Sequence, residues 1–154
     1  MATTAKTLPL DARELGAWRG LLRVHAAMVK TLDAELEAAH DLSLSSYEVL
    51  RAVADAPDGR MRMCDLADHV LLSRSGLTRL IDRLVRDGLL CRARCPSDAR
   101  GSFACLTAAG REKVQAARAT HLAGVREHFL AQLDEADLER LAAAWERVLP
   151  GASS

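Results

Sequence analysis

The stretch from Leu15 to Leu36 constrains the fold of this chain more than any other. Leu15, Trp18, Leu22, His25, Val29, Leu32 and Leu36 recur at alternating spacings of three and four, which places them on one stripe of an α-helix. Asp11, followed by Glu14 three residues later, is the pair that opens such a helix, each carboxylate accepting the other residue's backbone N–H. The stripe runs for about six turns, more than a small domain needs to cover its own core. A partner helix is therefore expected, and a second copy of the chain is its simplest source. With 154 residues, one core is expected rather than two.

The middle of the chain has a shorter rhythm. Ser45 and Glu48 form a second S-x-x-E box, opening a helix with Tyr47, Val49, Leu50 and Val53, which DAPDG ends at 55–59. MRM alternates like a brief strand, and CDLADHVLL reads as a helix. Ser73 restarts the chain after a tight turn. Leu77, Leu80, Ile81 and Leu84 then fall at i, i+3, i+4 and i+7, one buried stripe. Gly88 stops this helix. LLCRARC and SFACLT are strand-like, joined by a turn over 96–101. Thr107 caps a long helix over 108–131, and Asp134 with Asp137 starts the last one. The fold class is mainly α, with a small β-hairpin wing: a helix-turn-helix over 45–106, flanked by long helices at 11–40 and 108–149.

Charge is concentrated in the same region. Residues 60–100 hold nine arginines against five aspartates and no lysine, while the whole chain has a formal net charge of zero. Arg is favoured where a planar, bidentate contact to phosphate or a guanine edge is needed. The same bias follows from GC-rich codon usage, so charge alone does not decide. Position does. On the second short helix the outward face carries Arg74, Ser75, Thr78, Arg79, Asp82, Arg83 and Arg86, with Ser73 at its start. In a helix-turn-helix, the N-terminal part of the second helix reaches base edges in the major groove. Asp82 repels phosphate unless Arg79, Arg83 or Arg86 neutralises it. On the hairpin, Arg94 and Arg100 are further cations, and Arg100 near the tip suits the negative potential of a minor groove.

Residues 72–110 resemble the recognition helix, wing and wing exit of the MarR family of bacterial transcription regulators. The shared features are a Ser/Thr-rich helix, Gly88-Leu89-Leu90, the D-x-R wing Asp98-Ala99-Arg100 and the L-T-x-x-G run Leu106-Thr107-Ala108-Ala109-Gly110. Ala99 departs from a D-R-R wing and removes one phosphate contact. The resemblance implies a homodimer held by the terminal helices, double-stranded operator DNA as partner, and release by a small aromatic or carboxylate effector. Ser73, Arg74, Ser75, Thr78 and Arg79 would then face the major groove, and Arg100 would be the wing residue.

For the effector, the first helix offers Trp18 to stack, Arg19 to hold a carboxylate and His25 to hydrogen-bond, with Tyr47 as a further wall. The structural alternative is a seam histidine bonded across a dimer and a core tryptophan. Cys64, Cys91, Cys95 and Cys105 contain no CxxC pair, and free thiols are expected. A peroxide-sensing branch of the resembled family uses a cysteine in the first helix, and none lies in the first 63 residues here. Cys91 and Cys95, close to Arg92 and Arg94, are the pair for a thiol-switch alternative, and a turn over 96–101 puts Cys105 opposite Arg92. A winged-helix protein interaction module is the other alternative. Neither a catalytic constellation nor a metal or cofactor set is present in the sequence, so an enzyme is not expected. No apolar run approaches the roughly 20 residues of a membrane span. The opening MATTAKTLPLD lacks a secretory h-region, and a cytoplasmic chain is expected.

Overall fold

The computed structural model describes residues 8–70, 74–95 and 98–152; the side chains of 74, 95 and 98–100 lie outside the description. The elements are α1 (Ala12–His40), α2 (Leu44–Asp55), β1 (Arg60–Arg62), α3 (Met63–His69), α4 (Arg74–Arg86), β2 (Leu90–Cys95), β3 (Asp98–Leu106), α5 (Ala108–His128) and α6 (Glu135–Val148). The strands form one antiparallel sheet in the order β1-β3-β2. This is the mainly helical winged architecture expected from the sequence, with one addition. The short strand β1 joins the hairpin and makes the sheet three-stranded.

Local caps set the helix boundaries. Asp11 and Glu14 exchange their two backbone-to-carboxylate bonds, each 2.8 Å, at the start of α1. Of the apolar stripe, Leu32 and Leu36 are buried, while Trp18, Leu22 and Val29 stay exposed. The helix thus enters the core only near its C-terminal end. The second helix departs from expectation, because Ser43 rather than Ser45 is its cap. Ser43 Oγ accepts the Ser46 N–H at 3.2 Å, and Asp33 Oδ1, on α1, accepts the Leu44 N–H at 2.8 Å. With these first-turn donors satisfied and Leu44 buried, the helix begins at Leu44 and takes Ser45 into its first turn.

Leu77, Leu80, Ile81 and Leu84 of α4 are all buried, as their spacing requires. The helix ends in a Schellman motif: the Leu89 N–H bonds to Leu84 O at 2.9 Å and the Gly88 N–H to Val85 O at 3.0 Å. Gly88 has φ 72°, which favours glycine. Immediately beyond, Thr107 Oγ1 donates to Gly88 O at 2.7 Å, lies 3.0 Å from Leu89 O, and accepts the Gly110 N–H at 3.0 Å. The Thr107 N–H also reaches Leu89 O, at 3.2 Å. A Cβ on Gly110 would stand 2.0 Å from that same carbonyl oxygen. The G-L-L and L-T-x-x-G runs are therefore two halves of one clasp between the end of α4 and the start of α5.

The sheet register differs from the one the turn residues suggest. Leu90 pairs with Leu106, Cys91 with Cys105, Arg92 with Ala104 and Arg94 with Ser102, so Cys105 does not face Arg92. Both strands run closer to the tip than a turn over 96–101 allows, and the register shifts between Arg94 and Cys95, where Cys95 pairs with Asp98. Burial enforces this alignment. Leu90 and Ala104 are 2% and 0% exposed, and a one-residue slip would send one of them to the solvent face. On its other edge β3 is held by β1, with Arg60 opposite Cys105 and Met61 opposite Ala104.

The long helix α5 crosses α1 closely at Gly124, where an added Cβ would lie 2.7 Å from Leu32 Cδ2. His40 Nε2 and Thr120 Oγ1 hydrogen-bond at 2.7 Å, and His128 pairs with Glu35. Against α2, His121 of α5 packs on the buried Tyr47 with ring centroids 4.7 Å apart. His121 Nδ1 is buried without a hydrogen-bond partner.

This packing makes stability sensitive to one glycine and to one histidine. Gly110→Ala must displace the Leu89 carbonyl, and a loss of about 1–3 kcal/mol is expected from overpacking, measured by urea denaturation. Burial, and secondarily Arg51, lowers the His121 pKa. As pH falls through the ordinary histidine range near 6.5, the unfolded chain takes up the proton first, and stability from the neutral ring is lost just below that pH. Glu48 acts in the opposite sense, since burial raises its pKa. The drop in urea midpoint between pH 7.5 and 5.5 is accordingly expected to be smaller in His121→Gln than in the unsubstituted chain.

Candidate nucleic-acid interface

The stripe that buries four apolar residues of α4 turns Ser75, Thr78, Arg79, Asp82, Arg83 and Arg86 outward, all exposed. Two open depressions lie along this face. One, of about 270 Å³, is lined by Ser43, Ser45, Gly76, Arg79, Leu80 and Arg83. The other, of about 640 Å³, is lined by Arg79, Asp82, Val85, Arg86 and Arg92. Arg79 lines both, so it stands at the centre of a concave basic strip running from the start of α2 to β2.

Two contacts organise the charges. Arg83 Nη2 donates to Ser46 Oγ at 3.1 Å, and that hydroxyl lies 2.8 Å from Ser43 Oγ. Ser46 is buried, so the guanidinium is tied to the cap of α2. Asp82 Oδ1 accepts from Arg92 Nη2 at 2.7 Å. Both partners are partly exposed, and such a pair adds little stability, about 0–1 kcal/mol. Its effect is on the field of the face. The carboxylate is neutralised from β2, whereas the sequence reading looked for its partner among arginines of the same helix. Strand alternation puts Arg92 on the inner side of the sheet, in the row of Leu90, but no local pattern brings that side up to Asp82.

The remaining candidates are distributed as follows. Ser73 lies outside the described residues, and the side chains of Arg74 and Arg100 lie outside the description. Arg94 is exposed on β2, opposite Ser102. Two wing cations were missed: Arg60 and Arg62 of β1 lie over the Phe103 ring, 5.5 and 5.7 Å from its centroid. Their alternation around Met61 is the sequence signal that places them on one face of a strand.

The four effector candidates do not meet within one chain. Trp18 and Arg19 are exposed on α1, and His25 is a further seven residues along, about 10 Å at helical rise. His25 instead lies near Glu48, where burial raises the carboxyl pKa while Arg51 and His25 lower it. Tyr47 borders a cavity of about 130 Å³ between α2 and α5, together with Arg51, Asp55, Arg111, Gln115 and Arg118. Asp55 is shared by Arg51 at 3.4 Å and Arg118 at 4.0 Å. Two guanidinium groups thus share one carboxylate, and a third, Arg111, lines the same cavity. Arg51 is four residues after Tyr47, and Arg111 and Arg118 are seven apart on α5, a helical spacing that could have drawn attention to them. Among the described residues, no group of three or more His, Cys, Asp or Glu side chains is arranged to hold a metal ion. No helix there is long and apolar enough to cross a membrane.

Residues 40–101, from the end of α1 into β3, match the sequence model of the MarR family. Comparison by sequence finds no match among curated proteins. Among solved structures, AbsC from Streptomyces coelicolor, a MarR family transcriptional regulator, has a TM-score of 0.87 at 35% identity, covering 92% of this chain and 95% of AbsC. Sco3205 from the same organism, a MarR family transcriptional regulator solved in complex with DNA, has a TM-score of 0.88 at 30% identity, covering 94% and 91%. A mutant of MarR from E. coli, complexed with operator DNA, shares the fold with a TM-score of 0.78 at 23% identity, covering 93% and 100%. The identity to AbsC and Sco3205, sustained over nearly the full length of each, shows that the chain belongs to the MarR family of transcriptional regulators and is a regulator rather than an enzyme.

Proposed function

We propose that this chain is a cytoplasmic, homodimeric repressor that binds a pseudo-palindromic DNA operator and releases it when a small carboxylate effector binds. The observation that carries this reading is the concave arginine face of α4, centred on Arg79 and relieved of the Asp82 charge by Arg92. In this reading Ser73, Arg74, Ser75, Thr78 and Arg79 meet base edges and phosphates in the major groove, Arg83 holds a phosphate, and Arg94 and Arg100 serve the wing. The DNA complex of the similar Sco3205 supports it.

In the same reading the labour is divided along the chain. Residues 45–106 form the DNA-binding region, and 11–40 with 108–149 form the dimerisation helices. Exposed Trp18, Leu22 and Val29 on α1, with Leu138, Val148 and Leu149 at the other end of the chain, supply the apolar surface that a second copy covers. Two α4 helices are then offered to half-sites about one helical turn of DNA apart.

The effector site is the cavity beside Tyr47. A carboxylate entering it competes with Asp55 for Arg51 and Arg118, and charge-assisted bidentate bonds to Arg are strong. An aromatic acid would add contact with the Tyr47 ring. Trp18, Arg19 and His25 belong to this site only as a second wall brought up in the dimer. Binding lowers DNA affinity to the extent that the effector prefers the state with mismatched α4 spacing.

Titration of the chain's own upstream promoter DNA across a salt series tests the DNA reading, with fluorescence anisotropy as readout. A steep salt dependence is expected, and Arg79→Ala is expected to weaken binding and reduce the slope of log K against log salt by about one. Weak, sequence-indifferent binding would favour a protein interaction module instead. For the effector, benzoate and related aromatic acids are expected to raise the thermal midpoint of the unsubstituted chain and not of Arg118→Ala; equal shifts in both would remove the cavity from the mechanism.

A further inference from the structure

The sheet brings together two thiols that sequence spacing alone assigns to different faces. Cys91 of β2 is directly opposite Cys105 of β3. Directly opposed residues on antiparallel strands have Cα atoms about 4.5 or 5.5 Å apart, and both values fall within the roughly 4.4–6.8 Å spanned by disulfides. The two side chains leave the sheet on the same face, away from the buried row of Leu90 and Ala104. The Cys91 thiol donates to the Cys105 carbonyl oxygen at 3.5 Å. Access differs between them: Cys91 is exposed and Cys105 half-buried. On the far side of Cys105, β1 places Arg60 in the same row.

We propose that Cys91 and Cys105 are a peroxide-reactive dithiol at the base of the wing that closes to a cross-strand disulfide. The exposed Cys91 sulfur, as thiolate, attacks one oxygen of hydrogen peroxide. The O–O bond breaks, Cys91 becomes a sulfenic acid, and the departing hydroxide takes a proton to form water. Cys105, as thiolate, then attacks the Cys91 sulfur; the S–O bond breaks and hydroxide leaves, taking the proton that Cys105 gave up. In sum two thiols are oxidised to one disulfide, and one peroxide is reduced to two waters. Burial and the neighbouring Cys91 raise the Cys105 pKa, and Arg60 lowers it. This suits Cys105 to the second step, because conversion of Cys91 to the sulfenic acid removes the charge that opposes its ionisation. The bridge ties β2 to β3 on the wing side of the Thr107 clasp, whether or not the wing is on DNA.

Trypsin digestion of the peroxide-treated chain under non-reducing conditions, followed by mass spectrometry, tests the pairing. Trypsin cuts at Arg92, Arg94 and Arg100 between the two cysteines, so a bridge alone holds the Cys91 and Cys105 peptides together. The expected result is one linked species lacking two hydrogens, with free thiols falling from four to two. Cys64→Ser and Cys95→Ser are expected to leave this product intact, and Cys91→Ser and Cys105→Ala each to abolish it. A bridge from Cys91 to Cys95, a bridge between chains, or a Cys91 that ends as sulfinic acid beside a free Cys105 would overturn the proposal.

Discussion

The placement of α4 and β2, which carry most of the basic face, rests on the Thr107 hydroxyl. It bonds the carbonyl at Gly88 and accepts the Gly110 N–H, joining the residue that ends α4 to the first turn of α5. The Leu89 carbonyl sits in the space that a glycine at 110 leaves open. One side of the clasp fixes where α4 stops and β2 begins; the other fixes the angle at which α5 departs. A small wing on a large helical frame needs such a joint, since a three-stranded sheet buries few residues of its own.

The basic face is assembled from parts of the chain that local patterns do not connect. Arg79 and Arg83 come from α4, Ser43 and Ser46 from the start of α2, and Arg92 from β2. Each tie is modest by itself, because exposed or half-exposed polar contacts contribute little net free energy. Together they determine which guanidinium groups remain available to an outside anion and which are committed internally. Arg92 is committed to Asp82, Arg83 is positioned by one Nη2 bond to Ser46 with its other N–H groups on the exposed face, and Arg79 is central to both depressions.

What could be read in the sequence is what short-range spacing encodes. The Asp11–Glu14 box, the buried stripe of α4, the Gly88 stop and the Thr107 cap all depend on residues within about two turns of each other, and the structure contains each of them. The misreadings share a longer reach. Ser45 looked like a cap because a glutamate follows three residues later, but Asp33 on α1 took the Leu44 amide and moved the helix start. The hairpin register is set by burying Leu90 with Ala104 and by β1, more than forty residues before its partners on β3, rather than by the turn residues. The guanidinium cluster at Tyr47 draws on α2 and α5, some sixty residues apart. For the effector residues, Tyr47 lines a cavity while Trp18 and Arg19 lie on the uncovered part of α1, where a single chain gives them no common centre.

Ser46 and Tyr47 are consecutive residues of α2 whose side chains serve different neighbours. The hydroxyl of Ser46 holds Arg83 of α4, and the ring of Tyr47 packs on His121 and borders the guanidinium cavity. The two surfaces are thus a single peptide unit apart along one rigid rod. A turn of α2 about its axis that re-seats the ring must swing the hydroxyl through the same angle, and the arginine it holds must follow or let go.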